Sequence, residues 1–348
     1  MKKSLLLLLI IFLAACKSDR KTTQASFTTV EADTLFTDSI SIRAIAIDSN
    51  RVWYAGSRGK YGYVPLGKGK SFNGVVAQDS VLPGFRAIAQ TAEFIYILNV
   101  GTPAQLYKIS KDGKQNKMVY TETGEKVFYD AIQFYNDNEG IAMGDPTDGC
   151  LSVIVTRDGG ESWSKLPCDA LPATEDGEAA FAASNTNIVV KGDKTWIVSG
   201  GKKSRVFYSG DRGRSWEAFD TPVIQGTESQ GIYSVDFYNE KIGFAVGGDY
   251  TKPEMNDANK IRTTNGGTKW ITLADKEEFG YASCVQFVPD GEGYELVTIG
   301  PSGLFYSFDM GKTWKKIYDC TTLHTLKFAD SKTIIAAGEG KIVRLRLK

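Results

Sequence analysis

The chain has few of the residues that most enzymes use for acid–base or metal chemistry. Its 348 residues include a single histidine, His324. Histidine-ligated metals, haem ligation and Ser–His–Asp catalysis are therefore close to excluded. No Cys-x-x-Cys pair occurs, which argues against a zinc ribbon and against haem attachment. No Gly-x-Gly-x-x-Gly opens a helix, so a dinucleotide-binding fold is unsupported. We expect no metal and no cofactor.

Neither sign of charge is in excess. The chain has 41 Lys and Arg residues and 41 Asp and Glu residues, for a formal net charge of zero. A basic surface of the kind that binds nucleic acid is therefore not expected. Long helical periodicity is also missing outside the N-terminus. With 36 glycines and many aromatic residues, the composition suits a large single all-β domain.

The N-terminus carries an export pattern. Basic Lys2 and Lys3 precede an apolar stretch, residues 5–13, that is too short to span a bilayer, and Leu-Ala-Ala-Cys follows at Cys16. This end resembles the bacterial lipobox, which implies cleavage before Cys16 and acylation of that residue. An ordinary secretory signal with an incidental cysteine is the alternative. Residues 1–15 are thus predicted to be a lipoprotein signal peptide, and polar residues 16–26 a flexible tether.

The same N-terminal pattern also predicts where in the cell the protein is located. Two or three acyl chains hold a protein stably at a membrane surface. We therefore expect an exported protein that a lipid on Cys16 anchors to a bacterial membrane, at the outer membrane or facing the periplasm.

One eight-residue phrase, Ser/Thr-x-Asp-x-Gly-x-Ser/Thr-Trp, occurs four times and indicates a repeat architecture. Each copy lies between two β-type runs and reads as a hairpin turn, in which the Asp accepts backbone N–H groups and the Gly takes a positive φ. Asn replaces Asp in the third copy, which a structural turn tolerates better than a ligand site would. We interpret the phrase as structural. Its defining residues in the four copies are Thr156, Asp158, Gly160 and Trp163; Ser209, Asp211, Gly213 and Trp216; Asn265, Gly267 and Trp270; and Ser307, Asp309, Gly311 and Trp314.

The phrase is similar to the Asp-box, or BNR repeat, of sialidase-like and sortilin-like β-propellers. That resemblance implies the fold and says almost nothing about function.

A second recurring feature gives the number of repeats. An apolar strand that ends in Gly occurs seven times, and another apolar strand precedes each copy: IRAIAI, FRAIAQ, YDAIQF, AAFAAS, IYSVDF, ASCVQF and LHTLKF. Four strands repeated seven times predict a seven-bladed β-propeller over residues 27–348. The last repeat lacks its fourth strand. Residues 26–36 are expected to supply that strand and close the ring.

Strand order predicts which face of the propeller binds. The Asp-box turns lie on one face, and the longer polar loops of blades three to five lie on the other, where binding residues usually occur. Solvated loops without a ligand are the alternative. The candidates on the loops are Asp145, Asp148, Lys202, Arg205, Asp249 and Tyr250, and those at the mouth of the central channel are Asp130, Glu178 and Glu228.

Blades three to five resemble bacterial Asp-box propellers related to the photosystem II stability/assembly factor family. The likeness lies in segments such as YDAIQFYNDNEGIAMGDPTDG, GEAAFAASNTN and VGGDYTKP. It implies a protein that works by binding other proteins. The sequence therefore predicts a membrane-anchored binding or assembly scaffold, expected to be monomeric, whose partner is an envelope protein or a glycan. The lipoprotein pattern argues against carrying over photosystem binding itself.

Two enzyme classes are weaker alternatives. A sialidase needs an arginine trio, a Tyr–Glu nucleophile pair and an Asp acid; the Arg-Ile-Pro motif is missing, although Tyr233 with Glu228 could imitate the pair. Another glycosidase could use paired carboxylates at the channel mouth. An oxidoreductase is less favoured still, and His324, on an inner strand, is interpreted as a core residue.

The cysteines leave one pairing open. Cys150 and Cys168 flank the first Asp-box turn symmetrically, so a disulfide is permitted in an exported protein, but two buried thiols are the favoured alternative because cross-strand geometry is demanding. Cys284 and Cys320 are expected to stay free.

Overall fold

The computed structural model describes residues 26–77 and 82–348. This part of the chain consists of 28 β-strands and one 3₁₀ turn, Cys168–Ala170. No helix in it has the length and apolar character needed to cross a bilayer. The predicted signal peptide and the acyl acceptor Cys16 lie outside the described residues, as do all but the last residue of the tether.

Four of the sheets are four-stranded antiparallel units, as expected for propeller blades. Their inner and middle strands are buried on both faces, which explains their continuous apolar sequences. The strands are β5 (Phe85–Gln90), β6 (Phe94–Asn99), β7 (Ala104–Ser110) and β8 (Asn116–Glu122); β9 (Tyr129–Phe134), β10 (Gly140–Pro146), β11 (Leu151–Thr156) and β12 (Ser164–Lys165); β14 (Ile188–Lys191), β15 (Lys194–Val198), β17 (Arg205–Ser209) and β18 (Glu217–Asp220); and β23 (Cys284–Phe287), β24 (Leu296–Gly300), β25 (Gly303–Ser307) and β26 (Lys315–Tyr318).

A fifth sheet contains another four-stranded unit with a short extension. Two two-residue strands continue it beyond its inner strand, so the sheet has six strands. In sheet order they are β13 (Glu178–Ala179), β16 (Gly200–Gly201), β19 (Gln230–Phe237), β20 (Gly243–Asp249), β21 (Lys260–Thr263) and β22 (Ile271–Thr272).

The sixth sheet joins the two ends of the described chain. Its order is β27 (Leu323–Asp330), β28 (Thr333–Leu347), β1 (Val30–Asp48), β2 (Arg51–Gly56), β3 (Lys60–Pro65) and β4 (Phe72–Val75). The first half of β1 pairs with the end of β28, from Val30 opposite Leu347 to Thr37 opposite Lys341. The prediction that an N-terminal strand closes the last blade is confirmed.

The predicted count of seven separate blades is corrected, because the structure has six hydrogen-bonded sheets. The first and last sequence repeats share the sixth sheet. The physical reason is that two long strands change partner along their length: β1 leaves β28 after Ser41 and pairs with β2 from Ile42 onward. The all-β propeller with four-stranded blades stands.

The segment AAFAAS does not form the inner strand that its apolar sequence predicts. Residues 181–187 instead cross the central channel, and the inner strand of that blade begins at Ile188. We call residues 181–187 the channel plug. Its side chains reach several blades at once: the Asn185 amide nitrogen donates to the Ile88 carbonyl at 2.8 Å, and the Ser184 hydroxyl donates to the Ser283 carbonyl at 2.6 Å. These bonds satisfy polar groups that are buried in the channel.

Cys150 and Cys168 form a disulfide, with Cα atoms 5.6 Å apart. The favoured expectation of two thiols is therefore corrected. The hairpin of β11 and β12 brings the two cysteines together: Ile154 lies opposite Lys165, and Leu166 N–H donates to the Val153 carbonyl at 2.8 Å. The continued pairing gives the Cα separation that a disulfide needs. Cys284 and Cys320 are free, as expected.

Candidate functional site

The four Asp-box turns share one hydrogen-bond pattern. In the second copy the Ser209 hydroxyl donates to Asp211 at 2.8 Å, and Gly213 N–H donates to that hydroxyl at 2.8 Å. The Ser215 amide and hydroxyl complete the turn by donating to the two carboxylate oxygens of Asp211 at 2.9 and 2.6 Å. Although burial opposes it, this set of donors lowers the pKa of Asp211 to about 2. The carboxylate is fully engaged inside its own turn.

The other copies repeat this arrangement. Asp158 and Asp309 accept the same amide and hydroxyl bonds within their turns. Asn265 accepts from the Thr263 hydroxyl at 2.8 Å and from Lys269 N–H at 3.1 Å. None of these side chains is turned toward a shared cavity.

The box glycines and tryptophans pack against the preceding blade. Gly311 has φ +80°, and a Cβ built there would lie 2.1 Å from the ring of Phe244. Trp314 packs against the same ring at 5.6 Å and donates its indole N–H to the Gly311 carbonyl at 3.1 Å. Each turn thus joins two blades, which is a structural role.

A cavity of about 590 Å³ opens on the opposite face, at the mouth of the central channel. We call it the central cavity. The starts of the inner strands, the channel plug and the loops after the second strands form its walls. Its lining residues are Arg43, Arg86, Phe128, Asp145, Ala179, Ala180, Phe181, Ala182, Ala183, Glu228, Tyr233, Tyr250, Tyr281, Ser283, Pro301 and His324.

One wall of the central cavity is aromatic. Phe181 of the plug stacks on Tyr233 with ring centroids 4.0 Å apart. Tyr281 and Tyr250 meet the Tyr233 ring edge-on, at 4.7 and 6.3 Å. Tyr250 is 54% exposed and lies at the rim. We call these four residues the aromatic wall. Tyr233 and Tyr281 are buried, at 2% and 8% exposure, so the accessible aromatic surface belongs to Tyr250 and Phe181. Exposed aromatic rings of this kind bind apolar side chains or sugar rings.

Two arginines from neighbouring inner strands face the same cavity. The Arg43 guanidinium donates to the Ala183 carbonyl at 3.3 Å, and that of Arg86 donates to the Ala182 carbonyl at 3.5 Å. Within residues 26–77 and 82–348, neither arginine forms an ion pair at 4 Å or less, and the buried Nε of Arg43 has no partner. Burial and the charge of Arg43 lower the pKa of Arg86.

Two aspartates belong to this part of the fold: Asp145 lines the cavity, and Asp130 lies on β9. Burial raises the pKa of Asp145 to about 6, although the Ala180 N–H donates to it at 2.7 Å. Asp130 is 0% exposed, and neither of its carboxyl oxygens has a hydrogen-bond partner among the described residues. Burial, followed by the charge of Asp145, raises the pKa of Asp130 well above its usual range.

The structure brings together three of the nine predicted binding residues: Asp145, Glu228 and Tyr250 all line the central cavity. Glu228 is exposed at the rim. Asp130 lies on β9 but does not line the cavity. The described residues hold no group of three or more His, Cys, Asp or Glu side chains placed to bind a metal ion.

Two predicted residues form a buried ion pair away from the cavity. The Glu178 side chain is 0% exposed, and the Arg205 guanidinium donates to its two oxygens at 2.5 and 3.1 Å. The Ser199 hydroxyl also donates to Glu178, at 2.5 Å. This pair joins β13 to β17 and leaves Glu178 no free acceptor that faces solvent.

The remaining predicted residues lie on the same face but apart from one another. Lys202 is exposed, with its Nζ 3.7 Å from Asp176. Asp148 is exposed in the turn after β10. Asp249 is buried and accepts from the Thr251 amide and hydroxyl at 2.9 and 2.6 Å, so it shapes the turn before Tyr250.

Sequence reasoning missed the two arginines and Tyr281, and it interpreted His324 as a core residue. His324 lines the cavity, and its Nε2 lies 2.9 Å from a Glu339 oxygen. Burial is the main reason that the pKa of His324 is lowered. The sequence did contain a signal for these residues. In six of the apolar inner-strand segments, the second residue faces the channel. Those residues are Arg43, Arg86, Asp130, Tyr233, Ser283 and His324.

Tyr233 and Glu228 do not form the Tyr–Glu pair that a sialidase needs. The Tyr233 hydroxyl donates to the Ser229 carbonyl at 2.6 Å rather than to Glu228. Burial raises the pKa of Tyr233, which is the opposite of what a phenolate nucleophile needs.

These features define an Asp-box β-propeller with a cavity at one end of its central channel. The family model for the BNR/Asp-box repeat matches residues 305–316. No curated protein sequence matches the chain.

Solved structures share the fold at low sequence identity. YCF48 bound to D1 peptide is 13% identical with a TM-score of 0.65, over 93% of this chain and 98% of that one. YCF48 from Cyanidioschyzon merolae is 14% identical with a TM-score of 0.65, over 91% and 99%. A GH74 xyloglucanase from Xanthomonas campestris is 14% identical with a TM-score of 0.61, over 91% of this chain and 54% of that one.

Proposed function

We propose that the protein is a binding scaffold that captures a peptide segment of another protein in its central cavity. The cavity itself carries the proposal: it measures about 590 Å³ and has an aromatic wall on one side. On the other side are two arginines that form no ion pair among the described residues. Sites that combine apolar walls with a few convergent polar groups are typical of ligand binding. The proposed site replaces the wider loop face of blades three to five and keeps Asp145, Glu228 and Tyr250.

One structural neighbour supports a peptide as the ligand. The similar YCF48 structure holds a D1 peptide, so a propeller of this shape can bind a peptide. The D1 protein is not proposed as the partner here.

We propose in addition that a lipid on Cys16 holds this scaffold at a bacterial membrane, with an envelope protein as its partner. The Leu-Ala-Ala-Cys sequence and the polar residues after it support the proposal. Replacement of Cys16 by Ala should move the protein from the membrane fraction to the soluble fraction. Membrane association that survives the replacement would contradict the anchor.

A second candidate is a glycan-binding or glycosidase function. Aromatic rings bind sugar faces, and Asp145, with a pKa of about 6, has the protonation behaviour of a general acid. Glu228 is the other carboxylate among the described residues that line the same cavity. A panel of chromogenic glycosides tests this candidate: hydrolysis that Asp145→Asn abolishes would favour it over peptide capture.

A photocrosslinker tests peptide capture directly. Benzoylphenylalanine in place of Tyr250 lies at the cavity rim, whereas the same group in place of Ile271, 46% exposed on β22, lies on an outer strand. We expect crosslinking to one defined protein segment from position 250 and not from position 271. A synthetic peptide of that segment should then bind the purified wild type, and Tyr281→Ala should weaken the binding. Equal crosslinking from both positions would reject the site.

A further inference from the structure

Among the described residues, the two arginines at the cavity have no carboxylate within 4 Å. Arg43 and Arg86 each have one long hydrogen bond to a plug carbonyl, at 3.3 and 3.5 Å. Two adjacent guanidinium groups repel each other, and their partial burial removes water that would screen them. The folded protein therefore bears an unfavourable arrangement that a bound anion would relieve.

Among the described residues, no carboxylate lies within ion-pair distance of either guanidinium group, although the charges of Asp130 and Glu339 oppose the lowering of the Arg86 pKa. Glu339 accepts from the Ser41 hydroxyl at 2.6 Å and lies 2.9 Å from His324. Asp145 accepts from the Ala180 N–H. Asp130 forms no hydrogen bond among the described residues, and burial favours its neutral form. The guanidinium donors that face the cavity are thus free for a ligand.

The channel plug limits how a peptide can enter. Ala182 and Ala183 line the cavity, and Ser184 and Asn185 bond to blades on several sides, so the plug closes the channel beneath the arginines. A chain therefore cannot thread through the ring at the plug, whereas a chain end can be accommodated in the cavity above it. Of the two ends of a peptide, the C-terminus carries the negative charge.

We propose that Arg43 and Arg86 bind the C-terminal carboxylate of the partner peptide, and that its last side chain packs against the aromatic wall. Arginine donates two parallel N–H groups to a carboxylate, so the pair would fix both the charge and the orientation of the chain end. This inference rests on the proposed peptide-binding function and specifies which part of the peptide the cavity recognises.

A matched pair of peptides tests the end-group assignment. The probes are N-terminally fluorescein-labelled Gly-Ser-Gly-Ala-Phe with a free C-terminal carboxylate and the same peptide as its C-terminal amide. We expect the full-length protein to bind the free acid at least about tenfold more tightly than the amide, measured by fluorescence anisotropy. Inorganic phosphate is added in a third arm, and it should compete only weakly, because it offers nothing to the aromatic wall.

Variants locate the effect. Arg43→Gln and Arg86→Gln should each remove most of the difference between acid and amide. Arg214→Gln is the matched control, since Arg214 is 57% exposed beside an Asp-box turn, and it should keep the difference. The melting temperatures of the two cavity variants should equal or exceed that of the wild type, because each loses a repulsive contact. A purely structural arginine would show the opposite.

Three outcomes overturn the assignment: equal binding of acid and amide, no binding of either up to millimolar concentration, or an acid preference that survives in the Arg43→Gln/Arg86→Gln double variant. Strong competition by phosphate alone would indicate a phosphate site and would also overturn it. The crosslinking test at Tyr250 separates the two proposals. A crosslinked segment whose peptide binds equally well with its C-terminus amidated leaves the peptide-binding function intact and rejects only the carboxylate.

Discussion

The two faces of this propeller treat charged groups in opposite ways. On the Asp-box face, Asp211 accepts bonds from its own turn and its pKa is held near 2. On the cavity face, Arg43 has no carboxylate within 4 Å and Asp130 has no hydrogen-bond partner among the described residues. A charged group that is hydrogen-bonded within its own turn stabilises the fold, whereas a buried charged group without partners destabilises it. The difference separates structural residues from candidate binding residues more sharply than residue type does.

The largest effect is expected at Arg205, which lies on the cavity face but has a buried partner. Whether a charged residue contributes to stability should depend on its partner and not on the face where it lies. Arg205→Met should lower the free energy of unfolding by about 3–5 kcal/mol, because it leaves Glu178 buried without its cation. Urea unfolding measures this. Lys202→Met, on the same loop but exposed, is the control and should change stability by less than about 0.5 kcal/mol. Equal effects of the two changes would mean that the buried pair is not structural.

The next effect tests whether the Asp-box turns hold blades together. Gly311→Ala should cost about 3 kcal/mol, because the new methyl group meets Phe244 and φ is positive. Gly149→Ala, also at positive φ but with no atom within 4 Å of the added carbon, should cost only about 1 kcal/mol. Thermal and urea unfolding of both variants separate the clash from backbone strain. If the two costs are the same, contact with the neighbouring blade contributes little.

A third change should act with the opposite sign. Asp130→Val removes a buried carboxyl group without protein partners and should raise the free energy of unfolding by about 1–2 kcal/mol. Asp211→Val, which breaks the bonds of an Asp-box turn, should lower it by about 2 kcal/mol. Both are measured by urea unfolding at neutral pH. A loss of stability in both variants would show that Asp130 is satisfied after all.

The smallest effect is a pH dependence. The pKa of Asp145 is raised to about 6 in the folded protein, so the native state binds more protons than the unfolded state between about pH 4 and 6. The contribution of Asp145 to stability therefore falls as pH rises through this window. Asp145→Asn should remove that part of the slope, a change of about 2 °C in melting temperature across the window. An unchanged slope would contradict the raised pKa.

The fold could be predicted because its signals are local and repeated. Turn chemistry is confined to eight residues in each Asp-box. The run at residues 26–36 belongs to no complete sequence repeat and was predicted to supply the strand that the last blade lacks, and residues 30–37 do pair there. The number of sheets could not be predicted in the same way, because β1 and β28 each pair with one neighbouring strand over their first part and with another over their second part. The plug was missed because an apolar sequence such as AAFAAS suits a buried strand and a buried crossing equally well.

The cavity was predicted less well than the fold. Loop length pointed to Asp145 and Tyr250, and the position near an inner strand pointed to Glu228. Loop length also selected Arg205, whose partner Glu178 is distant in sequence, and Asp249, whose partners lie within its own turn. Whether a charge is satisfied depends on three-dimensional neighbours that spacing along the chain does not reveal. Arg43 and Arg86 occupy the same position of two repeats, and reading the repeats in register would have placed both at the channel.

The pairing of β1 with β28 has a consequence for synthesis. Residues 30–37 are among the first of the described chain to be made, and their partners, 341–347, are the last. The closing strand must remain unpaired while some 300 residues are added behind it, so the ring cannot close before residues 341–347 have been made. A nascent chain stalled before residue 339 should hold its later blades folded and its first strand open to proteases or chaperones.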